Sequence, residues 1–281
     1  MMRVRMLTAW SLLALAAVAA AGCATSPKKK PALPEQPESV ARLQNAVKHA
    51  HDAVAKEPNN AENHYRLGNA LFDVESYEGA RAAYEAAIKL APEHESAYCN
   101  LGLCLRRLGL LPEAIAAYRK ALSIDPNDAT ARYNLVLALE TSGDFEGSVK
   151  ELQQLVGRKP EDIQILSHLG NSLFRVERYQ EAAGVFEKVL RLDPGRADHY
   201  YNLGLCFFSM KNWDAALATW LTALAHDAKH APTNKGLAVV YWKRGDYKQA
   251  WETVSRCQAL GIALDPGFIS DLQKDSGQKG P

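Results

Sequence analysis

Residues 98–104 read YCNLGLC, and residues 200–206 read YYNLGLC. The two copies are 102 residues apart, which is three times 34. The same interval runs through the chain. Pro58, Pro92, Pro126, Pro160 and Pro194 keep it, as do Gly68, Gly102, Gly170 and Gly204. So do Leu67, Leu101, Leu135, Leu169, Leu203 and Leu237, and Ala46, Ala80, Ala114, Ala182, Ala216 and Ala250. A register of this kind marks an array of one supersecondary unit, repeated because one copy alone cannot bury its apolar face.

Each block divides into two helical stretches. In residues 61–94, NHYRLGNALFD carries apolar residues at helical spacing, VESY interrupts it, EGARAAYEAAIKL resumes it and AP closes it. Proline ends the second helix because it lacks an N–H and clashes with the preceding turn. A glycine in mid-helix costs about 1 kcal/mol, so its recurrence calls for a packing reason, and close approach of the partner helix supplies one. Tyr77, Leu111, Phe145, Tyr179, Trp213 and Tyr247 recur between the two helices and are placed to plug that junction.

Residues 95–128 hold Tyr98, Leu101, Gly102, Leu105, Ala114, Tyr118, Ala121 and Pro126 at the places of the tetratricopeptide-repeat signature. The chain resembles that family over residues 39–264. The resemblance implies an all-α fold, a right-handed superhelical solenoid of antiparallel helix pairs. Six repeats are expected at 61–94, 95–128, 129–162, 163–196, 197–230 and 231–264. A half-repeat helix is expected at 39–60, and a cap and tail at 265–281. The third block departs from the pattern with Val136 for glycine and Ser148 and Leu155 for alanine, the fifth ends in Ala228 rather than proline, and the sixth has Ala238 for glycine and Cys257 for alanine.

This places the cysteines. Cys104 and Cys206 stand where Ala70 and Ala138 stand in other repeats, as small packing residues three repeats apart. Cys99 and Cys104 point to different helix faces, and Cys257 takes another small-residue place. The pattern reads as buried thiols rather than a disulfide framework.

The resemblance also implies that the first helices line an inner groove that takes a protein or peptide segment. At its groove places stand Tyr65, Asn69, Asn100, Tyr133, Asn134, His168, Asn171, Tyr201, Asn202, Phe208, Lys235 and Trp242. Asparagine is a mediocre helix former, but its amide offers a donor and an acceptor to an extended backbone. The recurrence is similar to the asparagine ladders of some members of the family, and solvated groove asparagines give the plainer account. A handful of amide contacts at about 1 kcal/mol each binds weakly, so aromatic anchors are needed, and Tyr201, Phe208 and Trp242 are the candidates. The alternative for the aromatics at the twelfth place of each repeat, Phe174 and Phe208 among them, is packing between helices. Arg66, Arg106, Arg175 and Lys235 are possible parts of a carboxylate clamp, but the lysine and asparagine places of the chaperone-binding clamps are not reproduced together.

The N-terminus reads differently. Arg3 and Arg5 precede an uncharged, mostly apolar run from Met6 to Ala21, followed by Gly22 and Cys23. This is the form of a secretory leader, shorter than the roughly 20 apolar residues of a spanning helix. It resembles a bacterial lipoprotein signal peptide over residues 1–22, with Ala20 in the place usually held by leucine. The resemblance implies acylation of Cys23, with palmitate among the usual chains, and stable anchoring takes more than one chain. Residues 23–38, rich in proline and lysine, read as a tether. Under the sorting rules of the enterobacterial lipoproteins it resembles, Ala24 after the cysteine is no inner-membrane retention signal, which implies the periplasmic face of the outer membrane.

Lys plus Arg number 33 against 32 for Asp plus Glu, so there is no basic excess of the kind that nucleic-acid binding requires. No hydrolase elbow, zinc-protease helix or phosphate loop is present. His226 and His230 are four apart but lie where the helix should stop, with no third metal ligand in view. Neither a cofactor nor an enzymatic activity is expected. The reading is a membrane-anchored scaffold or adaptor in the bacterial cell envelope. A pilotin-like assembly factor for a secretin or type IV pilus is a narrower form, and an adaptor for cell-wall glycan or a glycan enzyme is the alternative of another class.

Overall fold

The computed structural model describes residues 37–278 and 280. The expected leader, Cys23 and most of the tether lie outside them. Helix α1 spans Pro37–Lys56. Six pairs follow: α2 (Ala61–Asp73) with α3 (Tyr77–Leu90), α4 (Glu95–Arg107) with α5 (Leu111–Ile124), α6 (Ala129–Ser142) with α7 (Phe145–Arg158), α8 (Ile163–Arg175) with α9 (Tyr179–Leu192), α10 (Ala197–Ser209) with α11 (Trp213–His226), and α12 (Ala231–Lys243) with α13 (Tyr247–Ala259). Helix α14 (Pro266–Ser276) closes the series. The described residues are helical with no strand, and none of the helices is long and apolar enough to cross a membrane. They form two compact units, divided between Pro160 and Glu161.

The period is visible in the caps and turns. Asn60, Asp128 and Asp162, 34 or 68 residues apart, each accept backbone N–H bonds at the start of α2, α6 and α8, which satisfies donors that the first turn leaves free. The turn inside each pair needs one left-handed residue. Gly109, Gly143 and Gly245 supply it in three repeats with φ of 76 to 85°. Glu75, Glu177 and Lys211 supply it in the other three with φ of 58 to 63°.

The recurring mid-helix glycine faces a ring, not the backbone of its partner helix. A Cβ on Gly68 would lie 2.5 Å from Tyr84, one on Gly102 2.7 Å from Tyr118, one on Gly170 2.7 Å from Phe186 and one on Gly204 2.2 Å from Trp220. These four rings are all but fully buried. Burying each contributes roughly 3 kcal/mol against the exposed state, and the missing Cβ makes room for it. Where the third repeat carries Val136, the ring's place is held by the smaller Leu152, and both are buried. The sixth has Ala238 with Val254 in the same relation. The departures are thus paired exchanges of volume.

In the unit ending at Pro160, the core runs from Ala80 and Tyr84 through Leu101, Leu105 and Tyr118 to Leu135 and Leu139. In the unit starting at Glu161, Tyr201, Leu205, Phe208, Trp220 and Leu237 form one cluster. Trp251, Val254 and Leu272 form a second, which α14 completes with Phe268 and Ile269. The thiols of Cys99, Cys104, Cys206 and Cys257 are free and buried, and burial pushes those of Cys99 and Cys104 up to about 11 and that of Cys206 up to about 12.

Candidate functional site

The first helices of repeats one to three present a polar face within the unit ending at Pro160. On it, Asn69 Oδ1 accepts from Tyr84 Oη at 2.8 Å and from Asn100 Nδ2 at 2.8 Å. Asn100 Nδ2 also donates to the Tyr65 hydroxyl at 3.2 Å. Tyr65 is held by the ring of His94, 4.8 Å away between centroids. The network begins at a buried phenol whose titration burial pushes far up, and it ends on the half-buried Tyr65, Asn69 and Asn100. It fixes both amides without exhausting them. The amide N–H groups of Asn69 and the carbonyl of Asn100 remain as a donor beside an acceptor, the pair an extended backbone needs.

The sequence singled out Asn69, Asn100 and Tyr65 but missed Tyr84, which locks them together. The signal was available: an aromatic sixteen residues after each recurring glycine reaches the first helix across the space the glycine leaves. In the second repeat the same place holds Tyr118, but Leu103 replaces Asn69 and Cys99 replaces Tyr65. Asn134, on the first helix of the third repeat, is half-buried and near enough to the Cys99 thiol to oppose the effect of its burial. Tyr133, His168 and Asn171 are half-buried, and none of them is free. Asn202 is half-buried on α10.

Two of the three expected aromatic anchors are buried in packing. Tyr201 and Phe208 are 4% and 5% exposed. Tyr201 stacks on Trp220, whose indole N–H donates to the Tyr201 carbonyl at 3.1 Å. Phe208 lies 4.8 Å from the ring of Trp213, as Phe72 lies against Tyr77 and Phe174 against Tyr179. The twelfth-place aromatic therefore plugs the turn of its own repeat. Trp242 is held from three directions: its N–H donates to Asp275 at 3.0 Å, its ring meets Phe268 edge-on, and Lys243 Nζ sits 3.8 Å from its centroid. Burial corrects the expectation for Tyr201 and Phe208, while Trp242 stays half-buried. Lys235 is half-buried on α12, close enough to influence the Cys257 thiol.

His226 and His230 turn to different partners. His226 stacks on Tyr200. His230 bonds Asp198 at 3.0 Å and Thr233 at 2.6 Å, and that bond holds the Asp198 carboxyl down at about 2. Among the described residues, Glu95, Cys99 and Asp128 bring donor atoms within 4.8 Å of one another. Burial raises the Cys99 thiol out of the thiolate range and raises Glu95 as well, and Asp128 already caps α6.

Profiles of the tetratricopeptide-repeat (TPR) family match residues 65–129 and 168–232, and a second of the same description matches 105–169. Together they span residues 65–232, more than half of the chain. The chain belongs to the tetratricopeptide-repeat family. Solved TPR structures share its fold. The C-terminal part of a TPR protein from Cytophaga hutchinsonii superposes with a TM-score of 0.67 at 17% identity, over 82% of this chain and 94% of that one. YrrB, described as a TPR protein with an unusual peptide-binding site, gives 0.61 at 24% identity over 67% of this chain and 97% of its own. MamA gives 0.55 at 22% over 61% and 93%. The TPR fold is a scaffold for protein–protein interaction, and protein or peptide partners are what it indicates.

Proposed function

We propose that this TPR protein is an envelope scaffold, anchored through an acylated Cys23 and holding an extended polypeptide segment against the first helices of repeats one to three. The observation that carries the binding part is the locked pair of amides. Tyr84 and Tyr65 hold Asn69 and Asn100 in place, so the entropy of ordering those side chains is already spent before a ligand arrives. YrrB is a precedent for the fold carrying a peptide-binding site. The anchor rests on the resemblance of residues 1–23 to a lipoprotein signal and on the tether behind them, which at about 3.1 Å per residue spans roughly 40 Å. Assembly of a secretin or type IV pilus is a narrower form of the same reading.

Two measurements test the two halves. For the face, a photoreactive residue replaces Asn69 or Asn134 in cells, with the exposed Lys150 as control. Tyr201 is unsuitable, because it is buried. One protein crosslinked from both asparagines and not from Lys150 is the expected result. Adducts from Lys150 alone would move the site to the other face, and silence at all three positions would turn attention to glycan. For the anchor, Cys23→Ser is expected to abolish incorporation of labelled palmitate and to shift the protein from membrane to soluble fractions. Retention of both label and membrane association in that variant would rule the anchor out.

A further inference from the structure

Five of the six repeats begin on an apolar residue: Ala61, Ala129, Ile163, Ala197 and Ala231. The second begins on Glu95. The fifth place departs in the same repeat. Tyr65, Tyr133 and Tyr201 stand there in repeats one, three and five, and Cys99 stands there in repeat two. Places one and five are four residues apart on α4 and share a helix face. The last place of the repeat, which caps the next first helix, holds Asp128. In repeats one and five the same junction sets a ring against a histidine, Tyr65 against His94 and Tyr201 against His230. In repeat two it sets a thiol and a carboxylate against a second carboxylate, and the donor atoms of Glu95, Cys99 and Asp128 lie within 4.8 Å of one another.

The group is steadied but incomplete. Ser96 Oγ donates to Glu95 Oε2 at 3.0 Å, and Asp128 Oδ1 accepts from the Thr130 N–H at 2.8 Å. Glu95 Oε1 is buried with no hydrogen-bond partner, and the Cys99 side chain beside it is only 7% exposed. Buried polar atoms nearly always find partners. Burial, and then the approach of Asp128, raises the Glu95 carboxyl, as happens where two acids share a place with no positive charge between them. A divalent cation supplies that charge, and the donors select its class. Calcium and magnesium take oxygen ligands, and copper(I) favours sulfur alone. One thiolate with two carboxylates suits zinc and the ions that stand in for it, cobalt(II) and cadmium(II). In a tetrahedral zinc site with bonds of about 2.0 to 2.3 Å, the ligand atoms stand about 3.5 Å apart. The three donors need draw together by little more than about 1 Å to reach it.

We infer that Glu95, Cys99 and Asp128 form a zinc site that ties α4 to the start of α6, with a fourth position left for water. On binding, the thiol gives its proton to solvent as the sulfur–zinc bond forms, and the carboxyl pair releases any proton it shares. Nothing is oxidised or reduced. Affinity therefore rises with pH. The site stands on its own geometry and does not depend on the polypeptide-binding reading given above.

The test uses the full chain with its thiols kept reduced and cobalt(II) as the probe. The expected result is a near-ultraviolet thiolate-to-cobalt charge-transfer band that saturates at one metal per chain, strengthens with rising pH and is bleached by zinc. Cys99→Ala is expected to abolish the band. Cys257→Ala, which places the residue that Ala87, Ala121 and Ala223 supply in other repeats, is expected to leave it intact. Asp128→Asn keeps a good helix cap and Glu95→Gln keeps the side chain's shape, so lost binding in either is not lost fold. Each is expected to weaken zinc by more than the roughly tenfold that loss of an outer-shell partner costs. Zinc is expected to raise the urea midpoint of the parent and not that of Cys99→Ala. A band that survives Cys99→Ala would put the metal on another thiol and overturn the site. No band at all, or unchanged affinity in both carboxyl variants, would overturn it too and leave Glu95 and Asp128 as a pair that shares one proton.

Discussion

Gly204→Ala is expected to lower the stability of the repeats that follow Glu161 by about 2 to 3 kcal/mol, read as a fall in the urea midpoint. The added methyl would sit 2.2 Å from Trp220 Nε1 and 2.4 Å from its Cδ1. The indole cannot retreat. Its N–H is bonded to the Tyr201 carbonyl, its stacking partners are Tyr201 and Phe208, and its far edge lies 2.9 Å from where a Cβ on Gly236 would be. The overpacking cost exceeds what alanine gains in helix propensity. The matched control is Gly184→Ala on α9, where nothing lies within 4 Å of the new methyl. There the propensity term acts alone and the midpoint is expected to rise by the equivalent of about 1 kcal/mol. Equal effects at the two sites would mean that the ring does not require the glycine.

Ending the chain after Leu264 is expected to cost more, roughly 3 to 5 kcal/mol, and to promote association. Leu272 is fully buried, and Phe268 and Ile269 pack beside it. Leu272 contributes on the order of 1.5 to 3 kcal/mol of burial and the half-buried Phe268 and Ile269 less, reduced by the cost of ordering α14. Trp242 would lose Asp275 and Phe268, and Trp251 would lose Ser276. What remains is an apolar surface of the kind that solenoid ends must cover. Urea unfolding with light scattering at rising concentration checks both consequences. A truncated chain with an unchanged midpoint and no scattering would show that α14 carries no stability.

These two sites also show how much was legible in advance. The period of 34, the two helices per block and the small residues where they meet were all in the letters, because each reports a local rule: proline stops a helix, glycine leaves a gap. What filled the gap was not. Nothing in the local sequence around Gly68 names Tyr84, and the pairing appears only when blocks are aligned and the ring is seen to vary with the glycine. The polar face of Asn69 and Asn100 was legible, because their amides stay half-buried rather than packed into the core. The reading of Tyr201 and Phe208 as anchors was wrong, because both are buried. A ring on the first helix can turn outward to a ligand or inward to a neighbour, and the choice belongs to residues distant in sequence, such as Trp220 and Phe268.

The left-handed residue inside each helix pair has a consequence for the length of the array. Glu75, Glu177 and Lys211 hold a backbone shape that favours glycine, at a cost of roughly 1 to 2 kcal/mol apiece. In a domain with a single core such a cost is paid once. Here it recurs with the unit, so it scales with the number of repeats, as do the ring-and-glycine pairs that offset it. Within each unit a repeat packs on its neighbours in sequence, so the cost stays local. It can be lifted at one turn without disturbing another, and half of the turns in this chain already carry glycine.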